Sequence, residues 1–83
     1  MRKKKRAKRN YRNYTLRDGG KVVKHGITSS SPKKRRSEMK ASGLRFTSMS
    51  VGVAVSEKTA RKREKRRIRR YKKTHNGRKP RYN

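Results

Sequence analysis

The sequence contains no cysteine and no tryptophan, only two prolines, and only four acidic residues in 83. Without cysteine there is no disulfide framework, no thiolate zinc site and no cysteine nucleophile. The two histidines, His25 and His75, stand too far apart in sequence for metal-ligand spacing. Long apolar runs are missing as well. The longest stretch of small apolar residues, Val51-Gly52-Val53-Ala54-Val55, falls far short of a membrane span, so no membrane partner is expected. The basic opening segment lacks the apolar stretch of a secretory signal. Leu, Ile, Val and Phe together occupy ten positions, a composition that by itself cannot offset the entropy of ordering a chain. A domain this short is marginal even with an ordinary core.

What the chain has instead is positive charge. Lys and Arg number 31, and the formal net charge is +27. Such an excess calls for a polyanion that cancels self-repulsion and adds contact surface. The charge is not spread evenly. Residues 1–10 hold seven basic residues and no acid, whereas nearly all large apolar residues lie between Tyr11 and Val55. This divides the chain into a basic arm (1–10), an α+β domain (11–73) and a basic C-terminal tail (74–83) that completes the domain.

Local signals define the elements. Tyr11–Arg17 and Lys21–Thr28 read as two strands, joined by Asp18-Gly19-Gly20, which supplies the positive φ angles of a tight hairpin turn. Ser31-Pro32 reads as a helix start, a capping serine followed by proline where its missing N–H is harmless, and Gly43 stops that helix. Leu44–Val55 alternates around Val51, Val53 and Val55 and reads as a third strand. Ser56 caps a second helix, with Glu57 in its first turn, that runs to about Lys73 before Asn76-Gly77. The order is β-β-α-β-α, a small α+β fold of one sheet and two helices.

On the second helix Ala60, Glu64 and Ile68 share a face, with Tyr71 close by, and the remaining surface is almost entirely Lys and Arg. An acid on that seam has two readings. It forms an internal salt bridge to one of many arginines, or it holds a divalent cation. The cations themselves suit phosphate contact. In the arm they are Arg2, Lys3, Lys4, Lys5, Arg6, Lys8 and Arg9; on the first helix, Lys33, Lys34 and Arg36. On the second helix they are Arg61, Lys62, Arg66, Arg69, Arg70, Lys72 and Lys73, and in the tail Arg78, Lys79 and Arg81. Phosphate contacts of this kind position a protein but read no sequence. Tyr11, Tyr14, Tyr71 and Tyr82 are candidates for stacking on unpaired bases, although Tyr14, inside a strand, equally suits the core.

The motifs in the middle and at the end of the chain are similar to those of the GIY-YIG nuclease family. Asn13-Tyr14-Thr15-Leu16, then Lys24-His25-Gly26-Ile27-Thr28 and Pro32-Lys33-Lys34-Arg35, resemble the opening of that domain. Glu64-Lys65-Arg66-Arg67-Ile68 resembles its metal-binding glutamate helix, and Pro80-Arg81-Tyr82-Asn83 its closing segment. The resemblance spans about residues 11–83. It implies that Tyr14 activates or orients a water, Arg35 stabilises charge on the phosphate, Glu64 holds Mg²⁺ and Asn83 closes the site. Mg²⁺ suits one carboxylate completed by water and phosphate oxygens, and there acts as a Lewis acid. Lys24 stands where the family has its second tyrosine, His25 where it has an apolar residue, and Met39 where it often has a histidine. Lys24 is then a replacement base or a phosphate contact.

Two functional readings follow. The first is a structural RNA-binding protein on a GIY-YIG-like scaffold with catalysis weakened or lost. It is a cytoplasmic, ribosomal or ribosome-associated protein that contacts rRNA in preference to DNA, with other ribosomal proteins as neighbours and no cofactor. The alternative is an active, divergent GIY-YIG endonuclease that cleaves DNA with Mg²⁺, using Tyr14, Lys24, Arg35, Glu64 and Asn83.

Overall fold

The computed structural model describes residues 10–83, and the cations expected from Arg2 to Arg9 lie outside the described residues. The chain folds as β1 (Arg12–Asp18), β2 (Lys21–Thr28), α1 (Pro32–Ala41), β3 (Ser48–Val51) and α2 (Glu57–Thr74). This is a small α+β domain with one three-stranded sheet in the order β2-β1-β3, antiparallel throughout.

The hairpin forms where its turn chemistry places it, with Gly19 and Gly20 at φ +60° and +87°. The Ser31 side chain accepts a hydrogen bond from Lys34 N–H at 3.2 Å at the start of α1. Ser56 does the same for Thr59 N–H at 3.3 Å at the start of α2. One expectation changes. The third strand is only Ser48–Val51, followed by an isolated bridge between Val55 and Tyr11. Central strand β1 can pair β3 only along Tyr14–Arg17, and beyond it Gly52 turns the chain away. Gly52 is tied down by its N–H to the Asn13 carbonyl at 2.9 Å and by Arg12 Nη1 to its own carbonyl at 2.9 Å. Val53, expected on the buried face with its neighbours, is 70 % exposed as a result.

Alternation along β1 gives the sheet two different faces. Tyr14 and Leu16 point to the α1 side and form the core with Val23, Met39 and Phe46. Leu44, Met49, Val51 and Tyr82 pack around it. At about 1.5–3 kcal/mol per buried large apolar side chain, five such groups make a thin core. Asn13, Thr15 and Arg17 point to the other side, where α2 lies. There Asn13 Nδ2 donates to the Ala60 carbonyl at 2.9 Å, and the small side chain of Ala60, fully buried, lets the helix come this close.

The free edge of β2 is covered by the chain terminus. Tyr82 N–H donates to the Val23 carbonyl at 2.8 Å, and the Asn83 side-chain amide exchanges two hydrogen bonds with the backbone of His25. The buried Pro80 ring sets this segment against the sheet. These bonds cover the middle of the edge, from Val23 to His25, where another chain would otherwise pair. No helix among the described residues is long and apolar enough to cross a membrane.

Candidate functional site

The candidate residues gather around the β2 edge, with Tyr14, Lys24 and Arg35 on the α1 side of the sheet and Glu64 on α2. Tyr14, at the middle of β1, stands opposite Gly26 of β2 and is 1 % exposed. Its ring lies across that glycine, and a Cβ at position 26 would fall within 2.8 Å of the Tyr14 Cε2. Any side chain there evicts the ring. Arg35, on the first turns of α1, places its guanidinium carbon 6.0 Å from the Tyr14 ring centroid. The neighbouring Tyr14 hydroxyl raises the Arg35 pKa above its ordinary value, against the effect of burial. Glu38 lies 3.6 Å from Arg35 and adds to that rise.

Lys24 pairs across the hairpin with Leu16 and extends over the core edge, where its Nζ donates to the Tyr82 carbonyl at 3.3 Å. Burial, followed by repulsion from Arg35, lowers its pKa from the usual lysine value, and Glu64 opposes the shift. Lys24 and Arg35 line a recess of about 230 Å³ with Met39 and Tyr82. Glu64 and Asn83 line a neighbouring cavity of about 400 Å³ together with Ile68, Lys72 and Lys79. Thus Tyr14, Lys24 and Arg35 converge, Glu64 and Asn83 converge beside them, and the Tyr82–Asn83 segment stands between the two groups. Comparisons with protein-family models, with curated proteins and with solved structures found no match.

Glu64 makes no ion pair among the described residues, so of its two readings the internal salt bridge is not formed there. It is half-buried, with Lys65, Arg69, Lys72 and Lys79 around the same cavity. The Asn83 side-chain Oδ1 already accepts from His25 N–H at 2.7 Å. Among the described residues no group of three His, Asp or Glu gathers anywhere. The four cations around this single carboxylate oppose a dication there until phosphate oxygens complete its shell.

The cations expected to contact phosphate are mostly where phosphate can reach them. Lys33, Lys34 and Arg36 on α1 are exposed, as are Lys62, Arg66, Arg69, Arg70 and Lys73 on α2 and Arg78, Lys79 and Arg81 in the tail. Lys72 is half-buried. Arg61 is exposed but held by Glu57 at 2.8 Å, an i,i+4 pair at the helix start. Of the tyrosines proposed for stacking, Tyr14 is sealed in the core. Tyr82 is half-buried, its hydroxyl accepting from Arg45 N–H at 3.1 Å.

Sequence reasoning missed the opposite face. Thr15 and His25 meet there at 3.0 Å, Oγ1 to Nδ1, and Arg17 Nη1 donates to Ser50 Oγ at 3.1 Å. The available signal was the β1 alternation, which sets Thr15 and Arg17 against the Tyr14 and Leu16 side. Burial, then Arg67, then Arg17 lower the His25 pKa from its ordinary 6.5. The unfolded chain therefore binds a proton near pH 6.5 that the folded chain refuses. His25 contributes no penalty above that pH, and stability falls as the pH drops from 6.5 toward the lowered folded value. Thermal unfolding at pH 7.5 and 5.5 checks this. We expect a lower Tm at pH 5.5 in the native protein and a smaller acid-induced drop in His25→Gln.

Proposed function

We propose that this chain is a structural nucleic-acid-binding protein, RNA in preference to DNA, on a scaffold resembling the GIY-YIG domain. The observation that carries the reading is the disposition of charge against its counter-charge. Exposed cations cover α1, α2 and the tail, yet among the described residues only two ion pairs engage them, Arg35 with Glu38 and Arg61 with Glu57. Charge left this unbalanced binds phosphate wherever the backbone shape allows, and RNA is met largely through shape and backbone. A ribosomal or ribosome-associated place in the cytoplasm, beside other ribosomal proteins, accords with this.

The candidate catalytic groups support the same reading, because each has a structural task. Tyr14 fills the core under Arg35 and lies across Gly26. The Asn83 amide seals the β2 edge. A water-activating tyrosine needs access that a 1 % exposed ring lacks.

One observation favours the second reading, a divergent GIY-YIG endonuclease. Burial and then Arg35 lower the pKa of Lys24, which lines the same recess as Arg35, as a replacement base requires. The two readings separate in one experiment. Supercoiled DNA and a structured RNA are incubated with the protein and Mg²⁺ for several hours at saturating concentration. We expect tight binding with neither substrate cut, and identical behaviour from Glu64→Gln. Nicking by the native protein that disappears in Glu64→Gln, at unchanged binding, replaces the structural reading with the nuclease.

A further inference from the structure

The outer face of the sheet, opposite the Tyr14 and Leu16 core, carries a cavity of about 610 Å³. It lies between the outer face of the sheet and the C-terminal half of α2. This volume falls within the roughly 300–1,000 Å³ typical of small-ligand sites. Its floor is polar, with Thr15 bonded to His25 and Arg17 held by Ser50. Its helix wall is Arg67, Arg70 and Tyr71. No carboxylate lines it, and its arginines form no ion pair among the described residues. Three guanidinium groups facing one space repel one another, and an anion entering there relieves that repulsion.

The aromatic wall is already arranged. The rings of Tyr71 and His75 are stacked with centroids 3.6 Å apart and planes within 1°. The stack is fixed by His75 Nδ1, which lies 2.8 Å from the Tyr71 carbonyl and 2.9 Å from Thr74 Oγ1. Since Tyr71 also lines the cavity, a planar group entering there meets an aromatic side chain whose position is already set. Arginines, hydroxyls and a preset aromatic wall around one space match a nucleotide better than inorganic phosphate, which would leave the aromatic wall unused.

We infer that this cavity receives an unpaired nucleotide of the bound RNA, its phosphate against Arg67 and Arg70 and its base against Tyr71. The inference rests on the RNA-binding reading and adds to it a selectivity: a base locked in a duplex stack cannot enter, so the protein discriminates bulged or single-stranded RNA from continuous duplex. Stacking on an aromatic side chain gives a preference of about 5- to 150-fold.

The test uses the full-length protein and two RNA duplexes, identical except for one unpaired 2-aminopurine in the first. Affinity is read by anisotropy at fixed salt, and stacking by quenching of the 2-aminopurine. We expect tighter binding of the bulged RNA, with quenching. Tyr71→Leu and the double variant Arg67→Gln/Arg70→Gln should each abolish both effects while still binding duplex. Lys62→Gln/Lys73→Gln removes the same charge from positions outside the cavity and should weaken both RNAs equally, keeping the preference. Equal binding of the two RNAs by the native protein overturns the inference and leaves RNA binding standing. So does a preference that survives both cavity variants. Failure to bind either RNA defeats the RNA-binding reading itself.

Discussion

Raising the salt from 50 to 200 mM should weaken the complex with RNA by about 10³- to 10⁵-fold, the loss expected when six to ten phosphates are neutralised. The number of contacts is not the limiting quantity here. α1, α2 and the tail offer more than ten exposed Lys and Arg, and the described carboxylates engage only two of the cations. Each cation brought to a phosphate releases condensed counterions, whose entropy of release is the driving force and is lost as bulk salt rises. The plot of log affinity against log salt should be linear, with Lys33→Gln/Lys34→Gln reducing its slope by the share of two contacts. A shallow slope would show that the exposed cations do not meet phosphate, and the proposed function would fall with it. The same charge acts on the free protein. With so thin a core, self-repulsion at low ionic strength should leave it largely unfolded, and added sulfate should restore order that circular dichroism detects.

The parts of the fold that were legible in the sequence are those determined by near neighbours. Asp18-Gly19-Gly20 dictates a hairpin because positive φ at two successive positions has few other uses, and Ser31-Pro32 and Ser56-Glu57 carry their own capping partners within three residues. The third strand was overestimated because its extent depends on how far β1 offers a partner, which local alternation does not contain. Val53 illustrates this, apolar by pattern and exposed by pairing. The candidate site was legible as a set of residues but not as an arrangement. Nothing local to Asn83 shows that its amide binds the His25 backbone 58 residues away, nor that the tail divides Lys24 and Arg35 from Glu64. The cavity on the α2 side was illegible for a related reason. It is built from alternate residues of β1 and from a helix that packs across β1 and β2, contacts that lie far apart in sequence.

Replacing Tyr14 separates the two functional readings most sharply, because the same ring is either a support or a reacting group. Tyr14→Ala should destabilise the domain by about 3–5 kcal/mol, the usual loss for a large aromatic removed from a core. Native domains are stable by about 5–15 kcal/mol, and one this small belongs at the lower end, so in sulfate-containing buffer without RNA the variant should retain at most about 2 kcal/mol and unfold at a much lower temperature. Gly26→Val should approach the same result from the other strand, since its side chain occupies the space of the Tyr14 ring. Tyr14→Phe is the informative change. It keeps the ring over Gly26 and under Arg35 and removes only the hydroxyl, a loss of at most about 0.5–1.5 kcal/mol, the worth of one hydrogen bond. A structural protein should then bind RNA with unchanged affinity and salt slope, at a Tm lowered by a few degrees. In a nuclease the hydroxyl is the group that acts on water, and the same substitution would leave binding intact while removing cleavage. Thermal unfolding and anisotropy on these three variants therefore show whether Tyr14 serves as a beam of the core or as a reagent.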